Sequence, residues 1–340
     1  MLAIIKGKPG PGAEKVQVEI DEPRENEVLI SIKIAAICGT DLHIYSWDPW
    51  AANTNLLVPG IIGHECVGEV VRVGKNVTSL SIGDRVCVET HIPCGDCRLC
   101  RTEKQNICEN LRLFGLHTHG CFAQYAIVPS ICARKIPSQI PDTIASVMEP
   151  LGVGVHAAQL AEVKGKRVTV LGAGPIGIFT ACVTQALGAE AVYISDVKEN
   201  RLKIASKCGN FKLWNPLKTH TSIVLNGDHR PDVIIETTGN ERAIQEAIPY
   251  LRKGGQVILV GLFSNNISLN LSSDVLFKEA TIMGIHGRKM WDTWDTMEDL
   301  LIHDKINIAP TITHHLSLND FAKGFEIAQS GEGVKVLLSP

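Results

Sequence analysis

Four cysteines lie close together in one short stretch of the chain. Two residues separate Cys94 from Cys97 and Cys97 from Cys100, and seven residues separate Cys100 from Cys108. This spacing lets a loop place four thiolates around one ion, which is typical of a structural zinc site with closed tetrahedral coordination. An iron–sulfur motif would place the fourth cysteine about three residues on, followed by proline. Four unrelated core cysteines are the other alternative, and the spacing favours structural Zn²⁺.

A second group of metal-ligand types comes earlier in the chain. Cys38 and the adjacent pair His64 and Glu65 each lie near the end of a predicted strand. Taken singly, they would be a small core residue, a hydrogen-bonded histidine and a surface charge. Thiolate, imidazole and carboxylate together are the ligands that a catalytic zinc takes three at a time, leaving one position for water or substrate.

Polar side chains continue from Cys38 along the sequence. Thr40 offers a hydroxyl and His43 an imidazole that titrates near neutral pH, so the two could pass a proton from a metal-bound alcohol to solvent. Thr40 and Asp41 could equally cap the segment that follows. The two interpretations are compatible.

A glycine-rich turn follows an apolar run near the middle of the chain. Gly172, Gly174 and Gly177 form a G-x-G-x-x-G pattern between a predicted strand and a predicted helix. In such a turn the glycines permit a tight bend, the approach of a pyrophosphate and close helix–strand packing. A second strand ends at Asp196, about 20 residues later, where a carboxylate can accept the ribose hydroxyls of NAD and repel the 2′-phosphate of NADP. Arg201 is interpreted as flanking the adenine or as an ordinary charge at the start of a helix.

The elements that carry these residues differ along the chain. Short β-type runs punctuated by glycine occupy the first part and predict an irregular β-rich domain; examples are 28–34, 67–73 and 85–89. A helix is predicted over 145–160. Beyond it, apolar strands alternate with helical stretches as far as about residue 260, which predicts βαβ units and a parallel sheet.

Composition excludes several classes of function. The chain has 340 residues, enough for two domains, and a formal net charge of -3 that gives no basic surface for nucleic acid. No run approaches the ~18 apolar residues of a membrane span. The first 20 residues lack the pattern of a secretory signal, so we expect a cytoplasmic protein with reduced cysteines, and neither nucleic acid nor membrane as partner.

These motifs, in this order, resemble the zinc-dependent medium-chain alcohol dehydrogenase superfamily over essentially the whole chain. Within it, the stretches 36–50, 120–125 and 284–294 are similar to signatures of the L-threonine 3-dehydrogenases. The resemblance implies an α/β protein with a GroES-like, β-rich catalytic domain and a Rossmann cofactor domain built on a doubly wound parallel sheet. The expected boundaries are 1–148 and 288–340 for the catalytic domain and 149–287 for the NAD-binding domain.

The resemblance also implies roles for individual residues. Cys38, His64 and Glu65 match the family's catalytic zinc ligands, and Thr40 and His43 match its proton relay. Glu149 matches an acidic position close to that zinc. The structural zinc ligands correspond to Cys94, Cys97, Cys100 and Cys108. Contacts to NAD correspond, beyond the glycines, to Ile176, Asp196, Arg201, Gly261, Leu262, Ile285 and His286.

The implied reaction is the zinc-dependent oxidation of a secondary alcohol with hydride transfer to NAD, from L-threonine to 2-amino-3-oxobutanoate. Two Zn²⁺ per chain and a homotetramer are expected. The stretch from Glu149 to His156 is closer to the polyol dehydrogenases, so a polyol or sugar-alcohol dehydrogenase with the same chemistry is the alternative. A non-catalytic relative should lack a ligand or a relay residue, whereas this sequence keeps them all.

Overall fold

A computed structural model describes residues 1–263 and 265–340. The chain divides into two compact units, one formed by Met1–Glu149 with Ile312–Pro340 and the other by Pro150–Thr311. The first division lies one residue from the expected boundary. The second differs, because residues 288–311, expected in the catalytic domain, cluster with the second unit.

The N-terminal part of the first unit is rich in short strands. Its strands are β1 (Leu2–Lys6), β2 (Glu14–Gln17), β3 (Glu27–Ala36), β4 (Gly60–Ile61), β5 (Glu65–Val73), β6 (Arg85–Val88), β7 (His91–Ile92), β8 (Arg112–Leu113), β9 (Tyr125–Pro129) and β10 (Ala133–Lys135). Its helices are α1 (Gly39–Ser46), α2 (Pro49–Asn53), α3 (Arg98–Arg101) and α4 (Asp142–Ala145), and α5 (Met148–Leu160) begins at its end. The strands predicted around 28–34, 67–73 and 85–89 are confirmed as β3, β5 and β6.

The second unit alternates strands with helices. Its strands are β11 (Arg167–Leu171), β12 (Ala191–Ser195), β13 (Lys212–Trp214), β14 (Val233–Glu236), β15 (Gln256–Leu259) and β16 (Thr281–Gly284). Its helices, after α5, are α6 (Pro175–Ala186), α7 (Glu199–Ala205), α8 (Thr221–Val224), α9 (Glu241–Ala247), α10 (Leu271–Asp274) and α11 (Asp292–Ile302). All the strand pairs are parallel, and the order is β13-β12-β11-β14-β15-β16. This order confirms the predicted Rossmann sheet.

The C-terminal segment returns to the first unit. It contributes β17 (Ile312–Ser317), α12 (Phe321–Ser330) and β18 (Lys335–Ser339). The main sheet of this unit runs β10-β6-β5-β3-β18-β17, and β9 also pairs with β3. Strand β18 pairs antiparallel with the end of β3, placing Leu337 opposite Ala36. Val28, Ile30 and Ile32 of β3 lie on one face of the sheet and are buried in the unit's hydrophobic cluster, so this strand lies at the centre of the core.

The helix predicted over 145–160 is interrupted. Helix α4 ends at Ala145 and α5 starts at Met148. Pro150 explains the break, since in one continuous helix it would lack the N–H that bonds the carbonyl of Ser146 and its ring would clash there. In the first turn of α5 the missing donor costs nothing.

Among the residues that the structure describes, no helix combines the length and the apolar character that crossing a membrane requires.

Candidate active site

The four-cysteine cluster forms as predicted, in a lobe between β7 and β8. The Sγ atoms of Cys94, Cys97, Cys100 and Cys108 all lie within 4.8 Å of one another. The Sγ–Sγ distance is 4.0 Å for Cys94 and Cys100 and 3.8 Å for Cys97 and Cys108. A tetrahedron of sulfurs ~2.3 Å from zinc has edges of about 3.8 Å, so the thiolates fit this ion.

Backbone N–H groups of the lobe point at its sulfurs. The amide of Cys100 donates to Sγ of Cys97 at 3.4 Å, and the amides of Cys94 and Asn110 donate to Sγ of Cys108 at 3.3 Å each. Donors from Cys100 and Glu109 lower the pKa of Cys97 to about 6. The backbone donors therefore stabilise the thiolate of Cys97, the form that binds a metal, whereas burial raises the pKa of Cys100 to about 12.

Cys38, His64 and Glu65 also come together. One ligand atom of each lies within 4.8 Å of the others, with His64 and Glu65 buried and Cys38 half-buried. Oε1 of Glu65 is buried and has no hydrogen-bond partner among the described residues. A buried carboxylate oxygen that faces a thiol and an imidazole without a partner suits a divalent cation, so the donor set fits the expected zinc.

Asp41 supports this cluster in a way that spacing alone did not reveal. It is fully buried; its Oδ2 accepts a hydrogen bond from the amide of Cys38 at 2.9 Å, so Asp41 caps α1 as expected, whereas Thr40 lies within the helix and Cys38 occupies the N-cap. Its Oδ1 lies 3.5 Å from Nδ1 of His64. This separation is that of an ion pair and not of a hydrogen bond, so the carboxylate acts on Nδ1 by its charge and leaves the other ring nitrogen for a metal.

Thr40 and His43 follow Cys38 on α1. Oγ1 of Thr40 is 3.8 Å from Sγ of Cys38, and His43, three residues further on, lies on the same side of the helix. Nδ1 of His43 is 2.5 Å from Oδ2 of Asp48, and its side chain is 40% exposed. The side chains of Thr40 and His43 therefore extend from the metal-ligand cluster to solvent. Asp48, which the sequence analysis did not identify, holds the imidazole of His43 at the solvent end.

Glu149 lies near the same cluster. It is 9% exposed, and its Oε1 accepts a hydrogen bond of 2.7 Å from Oγ1 of Thr90. Burial raises the pKa of Glu65 against the opposing charge of Lys335, and the charge of Glu149 raises it further. The structure thus brings both acids into one buried neighbourhood, with Thr90 as an unforeseen partner.

Lys335 is the cation of this neighbourhood. Its Nζ donates to Oε2 of Glu65 and, at 3.2 Å, to the carbonyl of Ile37. Burial opposes a charge on this lysine, but the carboxylate outweighs that effect and raises the pKa of Lys335. No local sequence signal could reveal the pair, because 270 residues separate its members.

His91 belongs to strand β7, directly before the four-cysteine lobe, and is 3% exposed. Its Nδ1 lies 2.6 Å from Oε1 of Glu89.

The glycine-rich turn has the shape that dinucleotide binding needs. Gly172 has φ +100°, in the left-handed region that glycine favours. A Cβ on Gly177 would lie 1.9 Å from the carbonyl oxygen of Gly172, so only glycine permits this contact between helix and turn. A Cβ on Gly174 would meet nothing within 4 Å, which leaves space above the N-terminus of α6 for a pyrophosphate. Ile176 lies half-buried in the first turn of that helix.

Asp196 lies at the carboxyl end of β12, beside this turn. Its Oδ2 accepts a hydrogen bond from the amide of Ala173 and its Oδ1 from the amide of Lys198, both at 2.8 Å. Nη1 of Arg201 is 3.7 Å from Oδ2. Each carboxylate oxygen retains a lone pair for a ribose hydroxyl.

The remaining predicted cofactor contacts follow the carboxyl ends of β15 and β16. Gly261 approaches Gly239 so closely that a Cβ would lie 2.2 Å from its amide nitrogen. Leu262 is 65% exposed, Ile285 is half-buried and His286 is exposed. These positions lie at the sheet edge where open α/β folds bind ligands.

Each of the two units contains a region that matches a known domain family. Residues 24–138 match the alcohol dehydrogenase GroES-like domain, and residues 175–303 match the zinc-binding dehydrogenase domain. An L-threonine 3-dehydrogenase of Caldanaerobacter subterraneus is 40% identical over 344 residues, which cover 100% of this chain and 99% of that protein. The chain belongs to the zinc-dependent medium-chain alcohol dehydrogenase superfamily. It is an α/β enzyme of that superfamily, as the sequence motifs predicted.

Two solved structures of this superfamily illustrate its range. A protein described as a short chain alcohol dehydrogenase from Escherichia coli CFT073, in complex with NADH, is 28% identical with a TM-score of 0.92; the match covers 100% of this chain and 99% of that one. Galactitol-1-phosphate dehydrogenase from Escherichia coli is 27% identical with a TM-score of 0.91, and both chains are fully covered. Both structures share the fold of this chain over its full length.

Proposed function

We propose that this enzyme oxidises L-threonine to 2-amino-3-oxobutanoate with zinc and NAD. The buried cluster of Cys38, His64 and Glu65, beside the hydroxyl of Thr40, carries the proposal for the reaction type. The substrate rests on the 40% full-length identity to an L-threonine 3-dehydrogenase, against 27% to a sugar-alcohol phosphate dehydrogenase.

Cys38, His64 and Glu65 would hold the catalytic zinc. When bound, zinc supplies a Lewis acid that lowers the pKa of a substrate hydroxyl. Asp41 would hold two of the ligands in place, because its Oδ2 accepts a hydrogen bond from the amide of Cys38 and its Oδ1 lies 3.5 Å from Nδ1 of His64. The thiolate and the carboxylate balance the charge of a divalent ion, which suits a buried position.

Thr40 and His43 would carry the hydroxyl proton to solvent. Thr40 accepts the proton at Oγ1 as it gives up its own, and the partly exposed ring of His43 passes a proton to water. Asp48 holds Nδ1 of His43 at 2.5 Å and so fixes the tautomer, leaving Nε2 for the transfer.

Glu149 would add a second carboxylate beside the reacting groups. Its Oε1 accepts a hydrogen bond from Thr90, which holds this carboxylate in the buried neighbourhood of Glu65. For an amino-acid substrate, a buried carboxylate offers a partner to the ammonium group.

The second unit would bind NAD, which accepts the hydride. Gly172, Gly174 and Gly177 would receive the pyrophosphate at the N-terminus of α6, and Asp196 the adenosine ribose. Ile176, Arg201, Gly261, Leu262, Ile285 and His286 complete the proposed contacts. The four-cysteine lobe would hold the second, structural zinc, so two ions per chain are proposed.

A substrate panel tests the choice of alcohol. The zinc-loaded enzyme is incubated with NAD and L-threonine, sorbitol or galactitol, and NADH formation is followed by absorbance. The proposal expects L-threonine to have the highest kcat/KM by at least about 10-fold, equivalent to about 1.4 kcal/mol. Turnover of a polyol with no turnover of L-threonine would establish the alternative function. Cys38→Ser, which lacks a ligand, is the matched inactive control.

We also propose a cytoplasmic homotetramer. Exposed apolar side chains lie near edge strand β16, namely Leu271, Leu276, Phe277 and Ile282. Such an edge is a ready pairing surface for another copy. Sedimentation equilibrium should give a mass four times the 36.9 kDa of one chain, and a monomer would contradict the proposal.

A further inference from the structure

Lys335 stands out as a buried cation that the proposed chemistry does not use. Its side chain is 2% exposed, and that of Glu65, its partner, is 0% exposed. Moving two charges out of water is costly, and a buried pair contributes little net stability compared with apolar packing. Its position next to the proposed zinc ligands therefore calls for a reason beyond stability.

The contacts of Lys335 reach both segments that carry the ligand set. Nζ bonds Oε2 of Glu65, which adjoins His64, and also the carbonyl of Ile37, which adjoins Cys38. One ammonium group thus ties the end of β3 to the start of β5.

The backbone that carries Lys335 is itself fixed. It is the first residue of β18, and the amide of Ile37 donates to the carbonyl of Val336 at 2.9 Å. Lys335 therefore projects from a strand that is hydrogen-bonded to the residue preceding Cys38. This hydrogen bond limits the positions that Nζ can adopt.

The two oxygens of Glu65 have different surroundings. Lys335 engages Oε2, whereas Oε1 is buried without a hydrogen-bond partner among the residues described. A carboxylate anchored through one oxygen presents the other in a fixed direction. A metal-bound carboxylate that is held by a hydrogen bond in this way is a recurrent device for setting metal affinity.

We propose that Lys335 is a positioning residue that holds Glu65 through Oε2 and thereby directs Oε1 to the metal. The inference rests on the proposed catalytic zinc at Cys38, His64 and Glu65. It adds a residue from the last strand of the chain to a centre otherwise built from residues 38–65.

Metal release and cobalt spectroscopy test this role without relying on activity. Lys335→Met removes the charge, and Lys335→Arg restores it. Lys6→Met is the matched control, because Lys6 is also 1% exposed but, among the described residues, contacts the backbone carbonyls of Gly10 and Gly12 and the ring of Trp47 instead of a proposed ligand. For each holoenzyme, zinc transfer to a chelator is timed, and the visible spectrum is recorded after Co²⁺ replaces the more labile zinc.

The expected result is release from the labile site about 10- to 100-fold faster in Lys335→Met, with altered Co²⁺ bands. Lys335→Arg should return both readouts toward wild type, and Lys6→Met should leave both unchanged. If the Met variant does not fold, Lys335→Gln keeps a neutral donor and should still accelerate release, by a smaller factor.

Two failures remain distinguishable. If wild-type enzyme holds no metal beyond the four-cysteine lobe, the proposed catalytic zinc itself is refuted. If wild type holds that metal and a folded Lys335→Met or Lys335→Gln variant matches it in release rate and Co²⁺ spectrum, the positioning role is refuted.

Discussion

Two alanine substitutions in the glycine-rich turn should separate folding from cofactor binding. At Gly177, the new Cβ would lie 1.9 Å from the carbonyl oxygen of Gly172 and 2.9 Å from Oγ1 of Thr237. Cβ contacts below 3.0 Å essentially never occur, so turn and helix must separate by at least about 1 Å. Overpacking of this kind costs about 1–3 kcal/mol. At Gly174, where φ is -71° and no atom is near, alanine fits the free protein.

The two variants therefore predict different outcomes. Gly177→Ala should lower the midpoint of thermal unfolding by about 2–12 °C, at about 2–4 °C per kcal/mol for a unit of this size, and should also weaken NADH binding. Gly174→Ala should unfold within about 2 °C of wild type yet bind NADH at least about 10-fold more weakly, because its methyl group takes the space of the pyrophosphate. Calorimetry without cofactor and NADH fluorescence titration measure the two effects. A Gly174→Ala enzyme with wild-type affinity, or a Gly177→Ala enzyme with wild-type stability, would refute the reasoning.

Three further predictions concern the other sites. Cys38→Ser should lower the zinc content from two ions per chain to one, measured by inductively coupled plasma mass spectrometry, and abolish turnover; retention of both ions would contradict the ligand assignment. Cys97→Ser should release the other ion and destabilise the lobe, seen as a lower unfolding temperature, while the ion at Cys38 is retained. Asp48→Asn should reduce kcat about 10-fold with little change in the KM for substrate, because His43 loses the carboxylate that fixes its tautomer. Equal kcat values would show that Asp48 does not support the relay.

The features that the sequence predicted correctly are formed by residues that lie close together along the chain. The cysteine lobe lies within 15 residues, from Cys94 to Cys108, and the glycine-rich turn within six, so spacing alone carries their geometry. The strands of the second unit are short, mostly apolar runs separated by helices, which predicts a parallel sheet. The cap at Asp41 followed from the residue types at the start of α1.

What the sequence could not predict depends on distant contacts. Lys335 is 270 residues from Glu65, and Thr90 is 59 from Glu149, so neither pair leaves a periodic signal. Residues 288–311 were expected in the first domain, but contacts with helix α5, such as the 3.0 Å hydrogen bond from Nε2 of Gln159 to Oγ1 of Thr296, accompany their clustering with the second unit. The break before Pro150 was missed because helix-forming residues flank it on both sides.

The late position of β18 in the chain has a consequence for the order of assembly during synthesis. The second unit has its complete parallel sheet once residue 284 has emerged from the ribosome, and the four-cysteine lobe can close on an ion once residue 108 has. The central strand β3, by contrast, cannot pair with β18 until about 300 more residues have been synthesised. Until then Glu65 lacks its buried ammonium partner. The proposed catalytic ion is therefore expected to be acquired last, after the ion of the lobe.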